Sequence, residues 1–264
     1  AIRKTISGYL ASSGNMMVRS LLLQGCMFSL YVLSSRLGTS ALAAHHVIFQ
    51  LWSLTSYVCD GFADVGTMLG AKLLGMGQVH LLRKLANRLV LLGSVVGVGV
   101  TMTLYGARSE IQALFTHDPL VRAELIANWV LLYSMQVVNS SVFVYDGVLY
   151  AFGRDGFCYI RNLMLIGCLL IFTPGVYFAF TQYRTLLALW VVKNMLTTWR
   201  CLSAIFYINI WKRNKAPTTT SSSKQSSSSS SSLSSTSSPS SSSTTTHDTN
   251  ESERKPLLSN RCNI

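Results

Sequence analysis

Three carboxylates lie inside stretches of sequence that are otherwise apolar. Asp60 and Asp64 stand one helical turn apart in AAHHVIFQLWSLTSYVCDGFADVGTMLGA, and Asp146 lies in a second apolar stretch. A charged side chain at the centre of a bilayer costs at least about 2.5–3.5 kcal/mol on insertion scales. Acids kept at that cost are typical of solute and ion pathways, where they meet water and mobile ions.

Polar side chains recur around these acids at the spacing of one helix face. Steps of three and four residues keep side chains on the same side of a helix. A first polar stripe is formed by His46, Gln50, Ser53, Tyr57, Asp60 and Asp64. A second polar stripe is formed by Gln136, Ser140, Phe143, Asp146 and Tyr150, with Asn139 one step to the side. Lipid cannot satisfy such groups, so each stripe is predicted to face the bundle interior or a water-filled cavity. Hydrogen bonds that merely join helices are the alternative.

Two cations in the last apolar stretch are candidate partners for the acids. Lys193 and Arg200 are seven residues apart and therefore share a helix face. Lys193 lies deeper and is the better candidate for an ion pair. Arg200 is expected to reach the cytosolic boundary with its long side chain. His46 is expected to be a satisfied interior histidine rather than a proton site.

The composition excludes an ordinary soluble domain. Of the 264 residues, 49% are hydrophobic and only 12% are charged, whereas soluble proteins carry roughly 25% charged residues. A bilayer crossing needs about 20 mostly apolar residues. We therefore predict an all-α, polytopic membrane helical bundle with six transmembrane helices, at residues 16–35, 41–71, 85–107, 123–152, 159–180 and 186–211.

Basic residues near the predicted helix ends alternate between rich and poor loops, which predicts orientation. The formal charge of +12 is spread singly along the chain, so it indicates topology rather than nucleic-acid binding. Both ends are predicted to be cytosolic, while the plasma, vacuolar or lysosomal and plastid membranes stay open alternatives. The rich side holds Arg3, Lys4, Arg19, Lys72, Arg83, Lys84, Arg88, Arg154, Arg161, Lys212, Arg213 and Lys215, and the poor side holds Arg36, Arg108, Arg122 and Arg184.

The chain divides into a membrane part and a polar tail. Residues 1–215 form the predicted six-helix lobe, and the Ser/Thr-rich residues 216–264 are predicted to be a disordered cytosolic tail. Glu253, Leu257 and Leu258 fit the acidic dileucine pattern that sorting adaptors bind; a chance match is the alternative. Because the chain begins at Ala1, we expect it to be the downstream part of a longer protein.

Smaller features predict helix packing rather than chemistry. Gly93 and Gly97 form a G-x-x-x-G pair that permits close helix approach or simply faces lipid. Pro174 should kink the fifth helix. The six cysteines show no metal-ligand spacing and are interpreted as small buried side chains, so neither a metal site nor a cofactor is predicted.

Several short motifs, in order, resemble the multidrug and toxic compound extrusion (MATE) family, in its DinF-like branch. The resemblance covers roughly residues 16–212. It rests on Arg19-Ser20-Leu21-Leu22-Leu23-Gln24, Leu37-Gly38-Thr39, Ala43-Ala44-His45 with Gln50, Asp60-Gly61-Phe62-Ala63, Leu114-Phe115-Thr116-x-Asp118, Asp146-Gly147, and Leu189-Trp190 with Arg200.

The resemblance implies the second half of a secondary antiporter. Family members have twelve helices in two lobes and export organic, often cationic, solutes in exchange for protons or sodium. The partners implied are a small organic solute, the lipid bilayer and a missing N-terminal lobe. Asp146 matches a second-lobe acid implicated in cation binding, whereas Gln24 stands near a Glu of those members and argues against a full sodium site. Asp60 and Asp146 are expected to line the central cavity, with Gln24, Gln50, Tyr57, Asn139 and Lys193 as further binding candidates. Asp64 is a candidate from the polar stripe alone, since it matches no position of the family.

Two other functions compete with this hypothesis. A lone lobe could be a truncated membrane scaffold without a solute path. Paired intramembrane aspartates also occur in intramembrane aspartyl proteases, but the G-x-G-D word those enzymes need is replaced here by Gly61-Phe62-Ala63-Asp64. The sequence therefore predicts a transporter and not an enzyme.

Overall fold

Long apolar stretches fold into long helices in the computed structural model, which describes residues 2–214. Within that part of the chain all regular structure is helical, as the composition predicts. The α-helices are α1 (Ile2–Leu37), α2 (Thr39–Gly75), α3 (Val79–Gly106), α4 (Arg108–Phe115), α5 (Pro119–Ser134), α6 (Gln136–Tyr150), α7 (Arg154–Gly167), α8 (Thr173–Phe178) and α9 (Leu186–Asn214). The predicted tail and its sorting motif lie outside the described residues.

Three helices in the described part of the chain are long and apolar enough to cross a membrane by length and composition alone. They are Leu10–Leu37, Val79–Gly106 and Arg154–Tyr183. Helix α2 has 37 residues, about 55 Å at 1.5 Å per residue, but it carries the aspartates of the first polar stripe. The six-crossing topology stays a prediction.

The predicted fourth crossing is two helices, not one. Asp118 accepts a hydrogen bond from the Leu120 backbone N–H at 2.8 Å, and Pro119 follows it, so α5 begins with a capped first turn. Met135, at φ −89° and ψ 0°, ends α5 and precedes α6. Near this break the Thr101 hydroxyl donates to the Tyr133 carbonyl at 3.0 Å. The Thr101 side chain of α3 thus supplies a hydrogen-bond donor to a backbone carbonyl beside the break between α5 and α6.

The predicted kink near Pro174 takes the form of widened helical turns. A π-helical segment at Cys168–Phe172 joins α7 to α8, and a second one at Ala179–Tyr183 follows α8. Thr173 donates both its backbone N–H and its hydroxyl to the Cys168 carbonyl. Proline has no N–H and its ring clashes with the preceding turn, so a widened turn beside it relieves both problems.

Helix α6 lies at the centre of the bundle, where it packs against α2, α3 and α9. The G-x-x-x-G pair of α3 faces it. A methyl group added at Gly93 would lie 2.8 Å from the Val144 side chain, and one added at Gly97 would lie 2.9 Å from the Val137 Cα. Close helix approach is therefore the role of this pair, and the lipid-facing alternative is wrong.

Candidate functional site

Three helices bring charged side chains together around Asp146. Arg19 of α1 donates to the Asp146 Oδ2 at 2.7 Å, and Arg200 of α9 donates to the same oxygen at 2.5 Å. The Asp146 residue is 4% exposed and Arg200 is 5% exposed. We call Arg19, Asp146 and Arg200 the charge network. It fixes α1, α6 and α9 to one another by charge-assisted hydrogen bonds.

The charge network holds one more positive than negative charge. Asp60 on α2, which is half-buried, lies within electrostatic range of both Arg19 and Asp146 and supplies a second carboxylate. The Arg19 guanidinium also lies over the Tyr150 ring, 5.7 Å from its centroid. With Asp60 ionised, the charges of Arg19, Asp146, Arg200 and Asp60 sum to zero, so Asp60 couples the outer face of α2 to the charge network by Coulomb interaction.

Gly147 explains how α2 comes so close to Asp146. A methyl group at this position would lie 2.6 Å from the Ala63 Cα, which real contacts do not allow. The missing side chain lets the α2 and α6 backbones touch, and the Thr67 hydroxyl donates to the Gly147 carbonyl across the crossing at 3.0 Å. In the Asp146-Gly147 dipeptide, Asp146 therefore supplies the charge, and Gly147 permits the close helix approach that places Asp146 near Asp60.

The first polar stripe shares one face of α2, as its spacing predicts, but this face is not the one packed inside the bundle. The buried residues of α2 include Thr55, Ser56, Cys59 and Gly66. The Tyr57 residue is 73% exposed. Of the other members, His46, Gln50 and Asp64 are exposed, while Ser53 and Asp60 are half-buried. The expectation of an interior His46 is wrong, and within this bundle the stripe faces outward.

The second polar stripe does lie inside the bundle. Gln136, Asn139, Ser140 and Asp146 are all buried. Asn139 accepts a hydrogen bond from the Trp52 indole N–H at 2.9 Å and donates to the Ser56 hydroxyl at 3.5 Å. Asn139 thus joins α6 to α2 by hydrogen bonds, the alternative to a solute pathway, whereas Ser140 donates within its own helix to the Val137 carbonyl.

Lys193 is buried among aromatic rings rather than beside an acid. The residue is 2% exposed, and its Nζ lies 4.1 Å from the Trp52 ring centroid and 5.3 Å from that of Trp190. No carboxylate pairs with it among residues 2–214. The predicted ion pair of Lys193 is therefore wrong: cation–π contacts, worth up to about 2 kcal/mol when desolvated, hold its ammonium group.

Arg200, and not the deeper Lys193, forms the ion pair with an acid. The expectation that Arg200 reaches the membrane boundary is wrong, because it is buried against Asp146. Arg19, interpreted from sequence as a topology charge, is the member of the charge network that sequence reasoning missed. The sequence feature that could have identified Arg19 is its position inside an apolar stretch. Gln24, five residues further along α1, is exposed and is not part of the charge network.

Residues 2–214 combine an all-helical fold, apolar spans and a buried ionic centre, as expected for an integral membrane protein. The MatE family model matches residues 16–182 of the chain. The chain therefore belongs to the MatE family of multidrug and toxic compound extrusion transporters, which are integral membrane proteins.

Curated relatives extend the same relationship to plants and bacteria. The chain is 26% identical to Protein DETOXIFICATION 43 of Arabidopsis thaliana over 190 residues, 72% of this chain and 35% of the relative. It is 29% identical to Protein DETOXIFICATION 42 of the same plant over 172 residues, 59% of this chain and 32% of the relative. A segment of 54 residues is 44% identical to DNA damage-inducible protein F of Escherichia coli strain K12, covering 20% of this chain and 12% of the relative. The chain thus spans about a third of the length of the plant relatives. No solved structure matches it.

Proposed function

We propose that this chain forms one lobe of a secondary antiporter that exports an organic cation in exchange for protons or sodium. The observation that carries the proposal is the outward face of α2, where Asp60 and Asp64 stand one turn apart beside the charge network. Family membership supports transport as the activity. The cargo, the coupling ion and a first lobe as partner belong to the proposal.

Asp60 and Asp64 are the carboxylates that can exchange ligands. Asp64 is exposed and Asp60 is half-buried, so both are open to a solute from the outward face. Their mutual repulsion favours whichever of a proton or a cation reduces the negative charge. Proton and solute therefore compete for the same pair, and a lobe that opens alternately to two sides converts this competition into antiport.

The proposed role of Asp146 is not the cation binding in a central cavity that the sequence predicted. Two guanidinium groups already neutralise its buried carboxylate, so a solute cation gains little from it. Its role in the proposed mechanism is to connect α1, α6 and α9, so that a change in the charge of Asp60 is felt by Arg19. Asp60 is the link between the outward face and this buried centre.

The test is proton-driven efflux by the complete polypeptide that contains this chain, reconstituted in proteoliposomes with a fluorescent organic cation. Asp60→Asn combined with Asp64→Asn should reduce the efflux rate at least about tenfold, equivalent to about 1.4 kcal/mol in barrier. Asp155→Asn, an acid at the start of α7, is the matched control and should leave the rate unchanged. Wild-type efflux in the double variant, at equal protein content, would refute the role of this pair.

A non-transporting scaffold is the second candidate, and the enclosure of Asp146 favours it. Such a scaffold predicts no efflux by wild-type protein in either gradient direction, whereas the antiporter proposal predicts efflux that collapses when the proton or sodium gradient is removed. A protease is disfavoured by the same geometry, since an Asp146 held by two arginines is not free to share a proton with a second acid. Cytosolic positions for both ends, and a sorting role for Glu253, Leu257 and Leu258 in the tail, also belong to the proposal.

A further inference from the structure

Two cysteines that are 142 residues apart in the sequence meet inside the bundle. The Sγ atoms of Cys26 on α1 and Cys168 at the start of the π-helical segment are 3.4 Å apart. A disulfide requires about 2.0 Å, so an approach of about 1.4 Å separates the two thiols from a covalent bond. Both are free and buried, as are Cys59 and Cys201. The pairing of Cys26 with Cys168 is therefore a feature of tertiary structure that no sequence spacing indicates.

The backbone at Cys168 is suited to so small a movement. Cys168 begins the widened segment Cys168–Phe172, and Pro174 follows it after Thr173. Widened turns of this kind are concentrated at functional sites in helices. A shift of the segment changes hydrogen bonds that are already irregular, so it costs less here than in an unbroken α-helix.

A groove gives small reagents a way to the thiols. A cavity of about 410 Å³ lies between α1 and the widened segment, and both sulfur-bearing residues line it. Most of its other lining is apolar, from residues such as Leu21, Leu22 and Phe172. Hydrogen peroxide and organic hydroperoxides are small enough to enter, and a thiol lining such a groove is accessible although its residue is largely buried.

We propose that Cys26 and Cys168 are a reversible oxidation site that closes to a disulfide. One thiol attacks the peroxide, the O–O bond breaks, and a sulfenic acid and one water form. The second thiol then attacks the sulfenic sulfur, the S–O bond breaks, and a second water leaves. Two thiols and one hydrogen peroxide thus give one disulfide and two waters, and a reducing thiol reverses the bond by exchange.

The disulfide would fix α1 against the kinked helix. Cys26 and Arg19 are seven residues apart on α1 and therefore share a face, so the same helix carries the bond and one partner of the charge network. An oxidised α1 is held at two points, by Cys168 and by Asp146. We expect oxidation to arrest the motion of this helix; that consequence rests on the proposed function, whereas formation of the bond does not.

The first experiment maps the bond itself. The complete polypeptide is treated with hydrogen peroxide in native membranes, blocked with an alkylating reagent, digested and examined by mass spectrometry. A peptide pair joining Cys26 to Cys168 should appear in wild-type protein and in the Cys59→Ser control, should disappear with Cys26→Ser or Cys168→Ser, and should be released by dithiothreitol. If both cysteines are recovered fully alkylated, or if they join other cysteines, the proposal is overturned.

The second experiment separates the oxidation site from the transport activity. Peroxide should reduce the efflux rate of wild-type protein at least about fivefold, dithiothreitol should restore it, and Cys26→Ser should be insensitive. Equal inhibition of Cys26→Ser would overturn the arrest of α1. Absence of efflux before any oxidant is added would refute the proposed function alone, because the disulfide is still scored by mass spectrometry.

Discussion

Replacing Asp146 by Asn tests the charge network most directly, because two guanidinium groups depend on one carboxylate oxygen. Asp146 bonds Arg19 at 2.7 Å and Arg200 at 2.5 Å, and it is 4% exposed. At charge separations near 4 Å and an effective dielectric constant of about 20, each pair gains roughly 4 kcal/mol of Coulomb energy, most of which offsets desolvation. Asp146→Asn removes both attractions but leaves both buried cations.

The expected loss is about 3–5 kcal/mol, the usual consequence of stranding a buried charge. Arg200→Gln should cost less, because it leaves Arg19 and Asp146 as a neutral pair. For a chain of this size, the melting temperature falls by about 2–4 °C for each kcal/mol lost from the free energy of unfolding. The melting temperature of Asp146→Asn in detergent should therefore fall by roughly 6–20 °C. Circular dichroism at 222 nm measures the shift, and both variants are compared with wild type in the same detergent.

The double variant sharpens this test. Arg200→Gln removes one of the two cations that Asp146→Asn leaves unpaired. The melting temperature of the double variant should therefore lie below that of wild type by much less than the sum of the two single shifts. A coupling of at least about 1 kcal/mol is expected for residues in direct contact. Additive shifts, or a melting temperature of Asp146→Asn within about 1 °C of wild type, would refute the assignment of a buried charge network.

Three other variants test the packing around this centre. Gly147→Ala should destabilise the protein by about 1–3 kcal/mol in the same melting assay, because its methyl group has no room against α2. The control is Gly99→Ala, in open space on α3, which should be neutral or slightly stabilising. Equal shifts in melting temperature for the two variants would contradict the close crossing of α2 and α6. Lys193→Met should leave the melting temperature unchanged or raise it, because a buried ammonium without a carboxylate is exchanged for an apolar chain of similar length; a fall as large as that of Arg200→Gln would show that Lys193 has an anionic partner. Thr67→Val should cost only about 0.6 kcal/mol, the average for a hydrogen bond between membrane helices, and a loss above about 2 kcal/mol would show that this bond does more than join α2 to α6.

Local patterns predicted the helices well. Apolar length located every long helix, because about 20 apolar residues suffice to define one. The sequence did not predict the break at Met135, since both sides of it are equally apolar and helix-forming. It also missed the early start of α1 at Ile2, whose first turns carry few of the apolar residues that mark a crossing.

The sequence alone determined the helical class, the shared faces of the two polar stripes and the glycines that permit close approach. These properties depend on side chains three or four positions apart, and the helix geometry fixes where such side chains point. The tertiary structure alone decided which face is buried and which charges meet. Asp146 finds Arg19 across 127 residues and Arg200 across 54, and Cys26 finds Cys168 across 142. Such pairings depend on how helices cross in space, and periodicity within one helix carries no information about its neighbours.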